Sequence, residues 1–325
     1  MNVLYPLRLR GVTKSPIWGG ARLLTTWNKK SDGKAVGESW ELCVRKEDMC
    51  RVDNGAFCGT ALGELIDRYG RALTGSDFTS QNFPLLIKLL DAADTLSVQV
   101  HPDDAYASRV ENDRGKTEMW YIIEADEGAE LICGLKEGMT AVDLAQAVAD
   151  GCVESVLRHQ PISPGEVYFI PAGYAHAIGK GILLAEIQQN CDLTYRVYDF
   201  NRRQPDGSLR ELHVEKALEV IRPFSKEEID AIRYSRTGGD APSPNVLADC
   251  DYFRVEKLTA QKEEGLIPHQ GRMRHLLCIR GSGAIYCNGE EYEIKKGDSW
   301  LLPACLGEVL LTGDAELLLT LANPI

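Results

Sequence analysis

Leu96-Ser97-Val98-Gln99-Val100-His101-Pro102 places an amide and an imidazole two residues apart at the end of an apolar stretch. Strand side chains repeat every two residues, so in an extended chain Gln99 and His101 project from one face. Two donors with free electron pairs begin either a metal site or a polar pocket. Two more donors lie downstream. Glu118 opens the apolar segment Glu118-Met119-Trp120-Tyr121-Ile122-Ile123, and His176 follows the tight Pro171-Ala172-Gly173 turn. One amide, two imidazoles and one carboxylate suit a divalent ion of the zinc class. Such a set leaves about one net positive charge and an open position, which suits polarising a substrate oxygen. Taken singly, each residue also fits a blander role, a hydrogen-bonded core histidine or a merely polar strand glutamine.

Cations surround these donors. Lys88, Lys116, Arg196, Arg202 and Arg203 are candidate contacts for an anion. Lys88 sits inside the apolar run Pro84-Leu85-Leu86-Ile87-Lys88-Leu89-Leu90, where a charge without a partner is costly, so it is either paired or facing a pocket. Lys116 lies two residues before Glu118 and shares its face if the chain is extended there. Asp192 and Arg196 either face the same site or form a structural ion pair. Glu38 and Glu41 face a pocket or are solvated strand charges.

The elements that must position these residues are mostly strands. Gly37 to Val44 alternates like a strand, and 61 to 75 has helical spacing, with Leu62, Leu65, Ile66 and Tyr69 on one face. Residues 139 to 157 read as a helix capped by Thr140. Helical patterns return over 211 to 233, with a capping-box pattern from Ser225 to Glu228. Residues 234 to 245 have the composition of a linker. Beyond them the chain is β-rich, and an internal repeat emerges. Gly297-Asp298-Ser299-Trp300-Leu301-Leu302-Pro303-Ala304 echoes Gly165-Glu166-Val167-Tyr168-Phe169-Ile170-Pro171-Ala172, and Arg274 to Ile279 echoes Glu118 to Ile123. Short strands, glycine turns and this repeat argue for a mainly β chain with two β-sandwich or jelly-roll modules. The second copy has Arg274 at the place of Glu118 and Glu308 at the place of His176, so its module is expected to lack the metal. The expected division is a catalytic barrel over 1–200 with a helical insert at about 139–158, a helical segment and linker over 201–240, and a degenerate barrel over 241–325.

Composition sets outer limits. The chain has 325 residues and a net charge of −12, which argues against a general nucleic-acid binder but not against a local basic pocket for an anionic small molecule. Ten scattered cysteines with no Cys-x-x-Cys pair point to reduced thiols rather than a zinc ribbon or disulfide framework. No run of about 18 apolar residues occurs, and Met1 to Pro6 shows no signal-peptide pattern, so no membrane association and a cytoplasmic protein are expected. The oligomeric state, monomer or dimer, is left open.

The motifs together resemble a known family. Phe83-Pro84-Leu85-Leu86-Ile87-Lys88, Val98-Gln99-Val100-His101-Pro102, Gly115-Lys116-Thr117-Glu118-Met119-Trp120, Ile170-Pro171-Ala172-Gly173 with His176-Ala177, and Asp192-Leu193-Thr194-Tyr195-Arg196-Val197-Tyr198-Asp199 are similar to the type I phosphomannose isomerases, most closely their short bacterial form. The resemblance extends over most of the chain. It implies a cupin fold, one Zn2+ per chain, and interconversion of mannose 6-phosphate and fructose 6-phosphate through a cis-enediol. It implies Gln99, His101, Glu118 and His176 as metal ligands, and Lys88, Lys116, Asp192 and Arg196 as active-site residues. Longer family members read Ser-Asp-Asn-x-x-Arg where this chain has Cys191-Asp192-Leu193-Thr194-Tyr195-Arg196, so the Asp–Arg spacing is kept in a different context. Arg196 is expected to hold charge near the reacting oxygens or the phosphate. Lys88 and Asp192 are expected to assist ring opening. Lys116 is expected to shuttle a proton if nearby cations lower its pKa. A sugar-phosphate-binding cupin without catalysis is the alternative. A metal-dependent oxygenase fits less well, because such enzymes use iron with three His, or with two His and one carboxylate.

Overall fold

A computed structural model of the chain describes residues 4–31, 35–224, 226–234, 245–261, 265–267 and 271–323. Its strands form three sheets, and every strand pairing among the described residues is antiparallel. The seven-stranded sheet runs in the order Arg233–Tyr234, Val167–Ile170, Glu118–Ala125, Ile182–Gln189, Leu85–Ala92, Glu38–Leu42, Val12–Lys14. The five-stranded sheet runs Tyr195–Tyr198, Val98–Val100, His176–Ile178, Glu130–Leu135, Leu157–Pro161. Leu90, Trp120, Ile122, Tyr168 and Leu184 of the first sheet share one core with Leu131, Cys133 and Ile178 of the second, so the two sheets face each other. That pair is the barrel that holds the candidate site.

The other face of the seven-stranded sheet is also covered. Leu85, Ile87, Leu89, Met119 and Ile187 pack with Val255, Leu277, Ile279 and Leu318 of the C-terminal sheet. A sheet buried on both faces cannot show the alternation of a half-exposed strand. This is why all eight residues of Leu85–Ala92 are buried. Helices Ala141–Ala149 and Val214–Val220 cover the outer face of the five-stranded sheet through Leu144, Ala147 and Ala217 against Val98, Val100 and Val197.

The C-terminal sheet has nine strands and curls over a core that includes Leu276, Ile285, Ile294, Trp300, Leu311 and Leu319. Its long strands Arg274–Cys287 and Leu310–Ala322 cross closely where Gly283 faces Gly313. A Cβ on Gly283 would lie 2.0 Å from the Thr312 carbonyl oxygen, so only glycine fits there. The internal repeat is realised in register. Glu118 stands opposite Ile170, and Arg274 stands opposite Leu302, as the sequence echo requires. Sheet membership nevertheless cuts across the 1–200 and 241–325 division. Leu7–Arg10 pairs with Ser299–Leu302 and, on its other side, with Arg51–Val52.

Two local expectations change and others hold. The helix read over 139–157 is shorter, Ala141–Ala149, because Gly151 takes a left-handed φ of 69° and a 3-10 turn, Val153–Val156, follows. Its Thr140 cap is present as a full capping box with Asp143. The two helical patterns read at Val214–Ile221 and Ser225–Ile229 are present as Val214–Val220 and Lys226–Ile232, separated by a segment containing Pro223. Ser225 and most of the linker over 234–245 lie outside the described residues. Helix Asp104–Val110, capped by the Asp103 side chain on the Tyr106 amide at 2.8 Å, has no counterpart in the sequence reading.

Candidate active site

Both sheets of the first barrel deliver donors to one point. Gln99 stands directly opposite His176 on one side and Arg196 on the other, and opposed residues of antiparallel neighbours share a face. Glu118 comes from the facing sheet. The ligand atoms of His101, Glu118 and His176 lie within 4.8 Å of one another, and all three residues are buried. His176 Nε2 is 3.3 Å from Glu118 Oε1, and His101 Nε2 is 3.6 Å from Glu118 Oε2. Each imidazole is oriented from behind. His101 Nδ1 meets the Leu193 carbonyl at 2.8 Å, and His176 Nδ1 meets the Tyr174 carbonyl at 2.8 Å. A carbonyl only accepts, so both rings carry their proton on Nδ1 and turn a bare Nε2 toward Glu118.

The electrostatics agree with that tautomer. Burial holds His176 down to about 4, and burial with the Lys116 charge holds His101 well below the usual imidazole range. Both are neutral near pH 7, the form that binds a metal. Burial and the neighbouring Glu186 charge push the Glu118 carboxyl up, with Lys116 opposing. His176 Nε2 and Glu118 Oε1 are buried without a hydrogen-bond partner among the described residues. Buried polar atoms are normally paired, so these two atoms and the mixed N/O donor set fit a divalent cation.

Beside this cluster is a cleft of about 480 Å³ lined by Lys88, Gln99, Lys116, Glu186, Asp192 and Arg196, among others. A row across the seven-stranded sheet forms one wall, since Trp40, Lys88, Glu186 and Trp120 stand opposite one another in consecutive strands. Lys88 Nζ is 3.4 Å from Glu186 Oε1, 3.6 Å from Asp192 Oδ1 and 5.0 Å from the Trp40 ring centroid. Burial alone would drive Lys88 toward its neutral form, but the charges of Glu186, Glu38 and Asp192 outweigh it and raise its pKa. Lys88 is therefore both paired and pocket-facing.

Asp192 lies at the rim, about half exposed at 48%, and pairs with Lys88 rather than with Arg196. Arg196 reaches Ser97 Oγ at 3.2 Å and the Glu211 carbonyl at 2.8 Å. Lys116 Nζ lies 2.9 Å from Glu118 Oε2 and 3.1 Å from His101 Nε2. Its expected low pKa is corrected. Burial pulls it down, but Glu118 and Glu186 prevail and raise it.

Arg202 and Arg203 are not in the cleft. Arg202 bonds Asp94, Asp199 and the Thr95 carbonyl, and Arg203 bonds the Gly207 carbonyl. Glu38 lines the cleft and accepts from Trp40 Nε1 at 2.7 Å. Glu41, on the opposite face of that strand, is buried against Lys29 at 2.6 Å. Two cleft residues escaped the sequence reading. Glu186 is a carboxylate inside an eight-residue buried strand, a signal that was available. It accepts from Trp120 Nε1 at 3.1 Å, and Lys116 and Lys88 outweigh its burial to hold it ionised. Arg210 is fixed in the cleft by Asp199, a pairing no local pattern announces.

Comparisons with known proteins agree with this geometry. Residues 7–136 match the family model for the phosphomannose isomerase type I catalytic domain, and residues 245–321 match that for the mannose-6-phosphate isomerase cupin domain. The chain is 37% identical to a mannose-6-phosphate isomerase of Streptococcus mutans over 98% of both chains. It is 38% identical to one from Bacillus subtilis over 96% of this chain and 97% of that one. The crystal structure of the mannose 6-phosphate isomerase from Bacillus subtilis superposes with a TM-score of 0.86 at 33% identity, covering 98% of this chain and 99% of that one. A zinc-bound mannose 6-phosphate isomerase shares the fold at a TM-score of 0.76 and 15% identity, covering 99% of this chain and 100% of that one. Two jelly-roll modules, a buried two-histidine, one-glutamate cluster beside a polar cleft, and full-length relatedness lead to one conclusion: the chain belongs to the type I phosphomannose isomerase family.

Proposed function

We propose that this chain interconverts mannose 6-phosphate and fructose 6-phosphate, with one zinc ion held by His101, Glu118, His176 and Gln99. The observation that carries the reading is the buried donor cluster at the end of a cleft lined by Lys88, Lys116 and Arg196. Zinc bound there supplies Lewis-acid polarisation of the sugar oxygens. The chain's own residues do the rest. Lys88 and Asp192 form an ion pair at the cleft wall, so a hydrogen bond to the ring oxygen and acceptance of a hydroxyl proton are both available for ring opening. Lys116 Nζ, beside Glu118 and His101, is placed to hold negative charge on the reacting oxygens of the cis-enediol. Arg196, held by Ser97 and the Glu211 carbonyl, faces the cleft as a contact for the anionic end of the substrate.

We assign the chemistry to the first barrel alone. In the second, Arg274 occupies the register position of Glu118, and Leu319 stands where Glu186 does. Glu308, at the sequence place of His176, is exposed. A binding cupin without catalysis would have no use for the buried Lys88–Glu186 pair at the cleft wall. The test is a coupled assay of mannose 6-phosphate conversion before chelation, after it, and after zinc return. Activity should vanish and come back. No turnover by the zinc-loaded protein would overturn the reading.

A further inference from the structure

Strand Glu38–Leu42 has two working faces. Glu38 and Trp40 look into the active-site cleft, and the alternation of a strand turns Ser39 and Glu41 the other way. On that second side lies another cleft, about 390 Å³, at the seam between the N-terminal strands and the C-terminal module. Its lining includes Arg8, Arg10, Lys29, Lys30, Lys295 and Lys296, against the carboxylates of Asp53 and Asp298. In a chain of net charge −12, so many cations around one cavity make a local field of the opposite sign.

Internal pairing does not use up these charges. Asp53 meets Arg8 at 3.5 Å and Arg10 at 4.0 Å, and the buried Glu41 takes Lys29. Lys296 reaches Glu124 at 3.5 Å and lies over the Trp27 ring at 4.6 Å. Lys30 and Lys295 have no ion-pair partner among the described residues. Neutral donors lie beneath the cations. Trp27 and Ser39 also line the cleft, each 1% exposed, and Trp27 Nε1 and Ser39 Oγ have no hydrogen-bond partner among the described residues. Buried polar groups are normally paired, so two left unpaired beside one cationic cleft call for an explanation. Gly11 packs closely there, since a Cβ on it would stand 2.8 Å from the Trp40 carbonyl oxygen and 3.2 Å from Ser39 Oγ.

We propose that this seam cleft is a second anion site, separate from the active site, that takes a small organic polyanion carrying phosphate groups. Such a ligand brings acceptor oxygens for Trp27 Nε1–H and Ser39 Oγ–H and negative charge for Lys30 and Lys295. The site is built from both modules, which gives the metal-free second barrel a share in ligand binding.

The probe is fructose 1,6-bisphosphate, titrated by calorimetry into zinc-loaded, full-length protein. Because the active-site cleft is also cationic, two variants separate the sites. K30E/K295E alters exposed lysines of the seam cleft, and R196M alters the active-site cleft. Saturable binding should persist in R196M and weaken at least tenfold in K30E/K295E, while turnover of K30E/K295E without the probe stays at the wild-type level. The reverse pattern, binding lost in R196M and kept in K30E/K295E, would overturn the proposal, as would the absence of saturable binding below about 1 mM, some 4 kcal/mol of binding free energy. Thermal midpoints of both variants within a few degrees of wild type establish that they are folded.

Discussion

Replacing Lys88 by methionine keeps the length of the side chain and removes its charge, leaving Glu186 buried at 3% exposure without its partner at 3.4 Å. Breaking a buried ion pair from one side costs about 3–5 kcal/mol when the remaining charge cannot escape. Glu186 has an escape, because it can take up a proton. Moving a carboxyl from about 4.3 in the unfolded chain to above 7 costs about 1.4 kcal/mol per unit, which caps the penalty at roughly 3.7 kcal/mol at pH 7. Lys116 also acts on Glu186 and keeps part of the compensation, so the expected loss falls below that cap, at about 2–3 kcal/mol. The sign with pH follows. In the wild type the Glu186 pKa is lowered, so its contribution is present above the ordinary carboxylate range and is lost as pH falls. In K88M the same pKa is raised, so the penalty is largest at neutral and alkaline pH and shrinks toward pH 5. Urea midpoints at pH 5 and pH 8, followed by tryptophan fluorescence, read this directly for K88M, E186Q and K88M/E186Q. The double variant should regain most of the stability while remaining inactive. A K88M penalty equal at both pH values, or a double variant no more stable than K88M, would refute the argument.

Four further outcomes are expected. His101→Ala and His176→Ala should each lose bound zinc by metal analysis and lower turnover by at least about 100-fold, with the far-ultraviolet circular dichroism unchanged. Lys116→Met should cut turnover by roughly 10²–10⁴ with zinc content intact, and full activity would remove Lys116 from the chemistry. His275 is buried neutral on Ser299 Oγ at 2.8 Å, and burial pulls its pKa down to about 3. The unfolded chain therefore binds more protons below the usual imidazole value of about 6.5, and stability should drop by up to about 2.7 kcal/mol between pH 6.5 and 4.5, a loss that His275→Gln should flatten. Thr140→Ala removes the cap of Ala141–Ala149 and should cost about 1 kcal/mol in urea unfolding without changing kcat.

The candidate metal donors could be singled out because strand period and turn chemistry are local. Gln99 and His101 are two residues apart, and the Pro171-Ala172-Gly173 turn sets His176. The repeat was legible for the same reason, and its register held from Glu118 and Ile170 to Arg274 and Leu302. What stayed hidden depends on pairing between distant strands. Glu186 matters through Lys88 and Trp120 beside it in the sheet, and nothing within its own strand names those neighbours. Arg202 and Arg203 misled because closeness in sequence was read as closeness to the cleft, whereas Asp94, Asp199 and the Gly207 carbonyl turn them away. Lys116 misled because Glu118 was in view beside it but Glu186, delivered by the neighbouring strand, was not.

Strand Leu7–Arg10 has a consequence for how the protein is made. Its partner Ser299–Leu302 is translated roughly 290 residues later, some 15–60 s at ordinary elongation rates. Until then this apolar segment has no companion on that edge, and Leu7 and Leu9 remain open to chaperones or to another nascent chain. Closing this pairing joins strands roughly 290 residues apart, so the C-terminal module completes an edge laid down by the N-terminal strands. Cutting the gene between the modules would leave each half with an open sheet edge, and the two fragments would be expected to find each other through that seam when expressed together.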